Sequence, residues 1–464
     1  MNYIKYGFAA ILFCISGIVF ASDGQLIKYP PVKDITLPNG LRVMLIEQHQ
    51  QQTISYRLLV RTGRADEPIG REGIASLTAD ILQEGTVTKT SDQIADEIAG
   101  IGSSLSVSQY PAYVVFGMDV IKQYSQNGLE LFSDIIINPS FSSQGFKRIK
   151  NKMLNDVDLD QTDNDTIAFN NGRNVLFGSE NPLGRTNTRK SVQAVTLNDV
   201  QDFYRNHYCP NNSILLVIGD FADGQMLMDL TMKFGHWQPT EIAHRFQTSP
   251  DFSKKGRIRI VDKPGMTQAI FYLNQWATES TDSNYYSYLV ANYVLGGSDF
   301  SSRLVKAVRA KGGMTYHIGS RCDIHSDYGV LSISTSTRNQ ELLNAYNVIR
   351  QEMEKLINTG ITEEELQKAK DYISGSIPLQ LESPAQVAGK ILNAIMQGFT
   401  IEDLSKEVAG FNSVTVDDVN RVIKEYMRPE RLNVVIVCDV KKVESQLTQI
   451  GEYEKTNYKD SPCK

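Results

Sequence analysis

The sequence predicts an α+β protein built from two versions of one half, and three observations carry that prediction. TLNDVQDFYRNHYCPNNSILLVIGDF (196–221) aligns without gaps to TVDDVNRVIKEYMRPERLNVVIVCDV (415–440) at an offset of 219. Thr196/Thr415, Asp199/Asp418, Val200/Val419, Pro210/Pro429 and Asp220/Asp439 coincide, in the order helix cap, amphipathic helix, proline break, apolar strand. Strands also come as hairpins with helices in blocks, which indicates mainly antiparallel sheets packed with helices rather than a parallel doubly wound sheet. Finally, residues 238–255 (QPTEIAHRFQTSPDFSKK) are polar and lack an apolar period, as a linker between halves would.

Taken in order, residues 1–21 read as an export signal. Lys5 is the only charge there, an apolar run follows from Phe8 to Phe20, and Val19-Phe20-Ala21 offers a cleavage site. The run is short for a bilayer and holds Gly17, so cleavage after Ala21 and a periplasmic or secreted protein without a stable membrane anchor are expected. The first half then spans 22–237. Within it, 103–107 and 113–120 form a hairpin around Gln109-Tyr110-Pro111, with Val114, Phe116, Met118 and Val120 on one face. The second half spans 256–445, with strands at 314–319 and 330–337 and a helix marked by Leu342, Tyr346, Ile349, Met353 and Leu356 before Gly360. Residues 446–464 read as a tail.

Composition narrows the function. A chain of 464 residues with net charge −6 carries no electrostatic footprint for nucleic acid. A mean hydropathy of −0.27 excludes a polytopic membrane protein. The histidines are His49, His207, His236, His244, His317 and His325, and no two have the three-to-five spacing of a helical zinc pair. Beyond Cys14 in the signal, Cys209, Cys322, Cys438 and Cys463 form no close framework, and their pairing is left open. Cys438 lies in an apolar strand, where a buried free thiol is expected.

The segments ITLPNGLRVMLIE (35–47), VRTGRADEP, GIASLTADILQEGT, NPLGR and VLGGSDFSSRLVKAVRAKGGMTYHIGS (294–320) occur in an order and spacing that resembles the pitrilysin family of inverted-motif zinc peptidases. The match is to its short exported bacterial members, relatives of the mitochondrial processing peptidase. The resemblance implies a clamshell of homologous halves. In active relatives the segment matching Gly73–Thr86 carries H-x-x-E-H, whose two histidines bind zinc while the glutamate activates water. Here Ser76 and Asp80 occupy the histidine positions, Ala79 the base position, and Asp156 that of the third ligand. Serine is a poor zinc ligand and alanine takes no proton, so no independent activity and no cofactor in this chain are expected. Oxygens of Ser76, Asp80 and Asp156 suit calcium or magnesium only if water fills most of the shell. A solvated polar helix face is the plainer reading.

The resemblance also implies an oxyanion-stabilising Arg/Tyr pair, seven apart, in the second half. Arg309 and Tyr316 have that spacing in RAKGGMTY. Read alone, they are a cation near a helix end and an aromatic in a strand. Gly296-Gly297 and Gly312-Gly313 read as close turns, since no phosphate-loop context surrounds them. His317, on the strand face opposite Tyr316, and His325 read as structural or surface residues. The expectation is a non-catalytic subunit that lends Arg309 and Tyr316 to an H-x-x-E-H-bearing sister chain, with zinc in that partner and unfolded peptides as substrates. The alternatives are a catalytically dead scaffold of the same fold and, disfavoured by Ala79, an autonomous peptidase with an atypical metal.

Overall fold

Two six-stranded mixed sheets organise the computed structural model, which describes residues 27–243 and 246–460. The predicted signal 1–21, His244 and Cys463 lie outside the described residues. The first sheet contains β1 (Lys33–Thr36), β2 (Arg42–Glu47), β3 (Thr53–Val60), β4 (Leu105–Gln109), β5 (Val114–Ile121) and β6 (Ser213–Gly219), in the order β1-β2-β6-β3-β5-β4. The second contains β7 (Ile258–Asp262), β8 (Gln268–Ala277), β9 (Ile318–Ile324), β10 (Gly329–Arg338), β11 (Asn433–Cys438) and β12 (Glu454–Asn457), in the order β12-β7-β11-β8-β10-β9. The parallel pair β2–β6 in one is matched by β7–β11 in the other.

The repeat read from sequence is the structural repeat. Thr196 and Thr415 cap helices Leu197–His207 and Val416–Tyr426 through capping boxes with Asp199 and Asp418. Each box satisfies two helix-end N–H groups that would otherwise be orphaned. Proline then starts a short 3₁₀ turn, at Pro210 and Pro429, that feeds the fully buried central strands β6 and β11.

Three features differ from the sequence reading, two of them in how the halves are assembled. Residues 446–464, expected as a tail, supply β12, which pairs parallel with β7 as the edge of the second sheet. The equivalent edge of the first sheet is β1, antiparallel to β2 and contributed from the other end of the chain. The halves also exchange helices. Helix Asn164–Phe177 lies against the second sheet, where Ile167, Ala168 and Val175 pack on Val261, Ile270, Val435 and Val437. Reciprocally, Val387, Ala388, Ile391 and Leu392 of helix Pro384–Met396 pack on Met44, Ile46, Leu59 and Leu216 of the first sheet. Central strands buried on both faces need a second apolar cover, and each half receives it from the other. Tyr113 reinforces the exchange, its hydroxyl donating to Asn393 Oδ1 at 3.2 Å.

The strand expected at 314–319 begins later, at Ile318. Residues 314–317 still run beside β10, but threonine hydroxyls replace the backbone ladder: Thr337 Oγ1 donates to the Met314 carbonyl and Thr335 Oγ1 to that of His317, both at 2.8 Å. Tyr316 therefore precedes the strand, and strand alternation does not set His317 against it. Both side chains are exposed. Helix Leu342–Thr359, ended by left-handed Gly360, is as the apolar spacing predicts.

Candidate functional site

The helix at the degenerate metal positions runs Ile74–Ile81. Its N-terminus is fixed by Glu67, whose Oε1 accepts from the N–H groups of Gly73 and Ala75 at 3.0 and 3.1 Å. Gly73 is left-handed at φ 101°, which suits glycine. Burial pushes the Glu67 carboxyl up to about 7, against the opposing pull of Arg64 and of the two N–H groups. Its Oε2 is buried with no hydrogen-bond partner among the described residues. Glu72 and Arg185 pair beside it at 3.1 Å.

Ala79 is buried in the core, 1% exposed, while Ser76 and Asp80, one helical turn apart on one face, are half-buried. Asp156 is exposed on helix Ser143–Asp160, which packs alongside. Asp156 lies near enough to Asp80 to act on its carboxyl. Burial holds the Asp80 carboxyl above its usual range, and Asp156 and Glu84 add to that, while Lys152 pulls the other way. The Gln109 amide donates to Asp80 Oδ1 at 3.0 Å. This donor set does not fit zinc. One carboxylate is already engaged by an amide, an ammonium acts on it, and no imidazole or thiolate is present. Among the described residues no group of three or more His, Cys, Asp or Glu side chains is arranged to hold a metal ion. Gln109 and Lys152 were missed in the sequence. Lys152 had a signal, one helical turn before Asp156, but Gln109 had none, because its approach depends on the β4 register.

Arg309 and Tyr316 lie on the second half, and no hydrogen bond, ion pair or ring contact links them to the degenerate site among the described residues. Arg309 sits on a π-helical turn, Val305–Lys311, a wound-out form often found at functional sites. Gly313, left-handed at φ 56°, takes the chain away from it, its N–H bonded to the Arg309 carbonyl at 3.1 Å. Tyr316 is 90% exposed. The Arg309 guanidinium is exposed too, and its one described side-chain contact is the ring of Phe300, 5.8 Å to the centroid. Gly296 is a close approach, as its sequence suggested: a Cβ there would meet Ser320 N at 2.7 Å. His325 is half-buried in the β9–β10 hairpin, 3.2 Å from Asp323 and tilted against Tyr328. Cys209 and Cys438 are buried free thiols and Cys322 a half-buried one, and burial pushes the Cys438 thiol up to about 12.

Two homologous halves joined by exchanged helices, with Ser-x-x-Ala-Asp where H-x-x-E-H would stand, define a protein of peptidase fold. Comparison with known proteins gives the family. The family profile described as Insulinase (Peptidase family M16) matches residues 42–185, and that described as Peptidase M16 inactive domain matches residues 194–373. The chain belongs to the M16 peptidase family, of which the pitrilysins are part. It is 24% identical over 399 residues, 85% of this chain and 95% of the relative, to a Bacillus subtilis protein named uncharacterized zinc protease YmxG. It is 22% identical to the Helicobacter pylori non-peptidase homolog YmxG, over 92% of this chain and 97% of that protein. Among solved structures, a peptidase M16 inactive domain from Pseudomonas fluorescens superposes with a TM-score of 0.81 at 22% identity, covering 88% of this chain and 97% of that one.

Proposed function

We propose that this chain is the non-catalytic subunit of a two-chain zinc peptidase acting on unfolded peptides in the periplasm or outside the cell. A sister chain of the same fold carries H-x-x-E-H. Its zinc supplies Lewis-acid chemistry there, and this chain supplies no metal. The observation that carries the reading is that the Arg309 and Tyr316 side chains stand exposed on the second half with no polar partner among the described residues, while in the first half Asp80 is engaged by Gln109.

The roles follow from the donors. When a peptide carbonyl is attacked, its oxygen gains negative charge, and the Tyr316 O–H and Arg309 guanidinium are donors suited to it. One such donor is worth about 3 kcal/mol in the transition state. Neither side chain has another described polar partner to give up, so both are free to turn to substrate.

The test is to co-purify the chain with an H-x-x-E-H relative encoded beside it and assay cleavage of an unstructured peptide by each chain alone and by the mixture. Activity only in the mixture, lost in Tyr316→Phe with assembly intact, is the expected result. Chelator-sensitive activity of this chain alone would overturn the reading. Assembly without turnover would favour the scaffold alternative.

A further inference from the structure

Phe300 is an apolar ring held out into solvent, 80% exposed, at the tip of the turn between Gly297 and Arg303. The turn is braced from within. Ser298 and Ser301 share a hydroxyl hydrogen bond of 2.6 Å, and Ser302 Oγ donates to the Ser298 carbonyl at 2.7 Å. At its base the Arg303 guanidinium donates to Glu365 and to the Gly360 carbonyl, both at 2.7 Å. The ring is thus presented by a fixed turn. One side of it lies under the Arg309 guanidinium, 5.8 Å from the ring centroid, and Tyr316, seven residues further along the chain, is exposed as well.

We infer that Phe300 is a positioning and specificity residue of the Arg309/Tyr316 site. Stacking on an aromatic face orients a guanidinium without taking up its N–H donors, which leaves them for a carbonyl oxygen. The rest of the ring offers apolar area beside that oxygen. The substrate class follows: peptides with an aromatic or large aliphatic side chain flanking the cleaved bond, set against Phe300. This rests on the function proposed above.

The experiment uses the two-chain complex and two peptides that differ only beside the cleaved bond, one with Phe and one with Glu. Phe300→Ala is expected to raise KM about tenfold for the Phe peptide and about twofold or less for the Glu peptide and, with the stack gone, to lower kcat on both. Phe300→Leu keeps apolar area but loses the stack, so KM is retained while kcat falls. Sedimentation of each variant with the sister chain should match wild type. Equal KM changes on both peptides, an unchanged kcat in both variants, or weakened assembly would overturn the inference, the last by making Phe300 a subunit contact. Tyr316→Phe run in parallel separates the two claims. If it abolishes turnover while Phe300→Ala does nothing, only this inference fails. If Tyr316→Phe is silent or the mixture is inactive, the function reading fails and takes this one with it.

Discussion

The two halves share a strand order and a capped helix at an offset of 219, yet their chemistry has gone opposite ways. In the first half the helix Ile74–Ile81 is tied into the structure: Ala79 is core, Asp80 is bonded to Gln109, and the helix start is held by Glu67. In the second, the side chains of Arg309, Tyr316 and Phe300 stand outside every described ion pair and hydrogen bond, and Tyr316 is 90% exposed. Substitutions in the first half should therefore read out in stability, and those in the second in activity.

The largest effect is expected at Tyr316. Tyr316→Phe should reduce kcat of the mixed complex by about a hundredfold, the loss of one oxyanion donor, and Arg309→Ala should act similarly. Thermal unfolding of either variant should stay within about 0.5 kcal/mol of wild type, as for surface residues generally. A large stability loss would mean that the second-half site is structural after all.

Next comes the exchanged helix. Ile391 is fully buried between helix Pro384–Met396 and the first sheet, so Ile391→Ala should cost about 3 kcal/mol. Because this helix belongs by sequence to the second half, calorimetry should show one shifted transition for the whole chain. Two transitions, with only the first-half one moved, would show that the halves unfold independently despite the exchange.

Glu67 gives a smaller, pH-dependent effect. Its carboxyl is raised in the fold to about 7, so between the ordinary glutamate range and pH 7 the folded state binds more protons than the unfolded one. Stability from this group is present below that window and is lost as pH rises through it. Arg64, Glu72, Arg173 and Arg185 face the group. Glu67→Gln keeps an oxygen to accept from Gly73 and Ala75, so denaturant midpoints should flatten across pH 5–8, with the variant gaining on wild type at the alkaline end. An unchanged pH slope would show that Glu67 is not the titrating group.

How far the sequence could see depends on whether a feature is local. Capping boxes, the proline breaks at Pro210 and Pro429 and the period of helix Leu342–Thr359 are written within a few residues each, and they are found as expected. The role of β12, the exchange of helices and the late start of β9 are not. Residues 164–177 bury Asn171, Gly172 and Asn174 along with Ile167, Ala168 and Val175, and nothing local says which sheet covers them. Thr335 and Thr337 stand in for backbone bonds in a way no alternation reveals. In the site, Ser76, Ala79, Asp80 and Asp156 were reached through the resemblance, whereas Gln109 comes in through strand register and Phe300 through a turn whose exposure only the folded chain displays.

The smallest effect is expected at Asp80, and it bears most directly on what became of the metal site. Burial, with Asp156 and Glu84 nearby, already disfavours its charged form, while Lys152 and Gln109 partly offset that. Asp80→Asn removes the charge but leaves an oxygen for the Gln109 amide, so the two effects nearly cancel and stability at pH 7 should rise by no more than about 0.5 kcal/mol. Its gain should vanish at acid pH, where wild-type Asp80 is protonated as well. Millimolar zinc or calcium should leave the melting temperature of both proteins unmoved, because a bound ion would stabilise the folded chain in proportion to its affinity. A rise with calcium in wild type that Asp80→Asn abolishes would restore the hard-cation reading, and the first half would then be a site converted rather than dismantled.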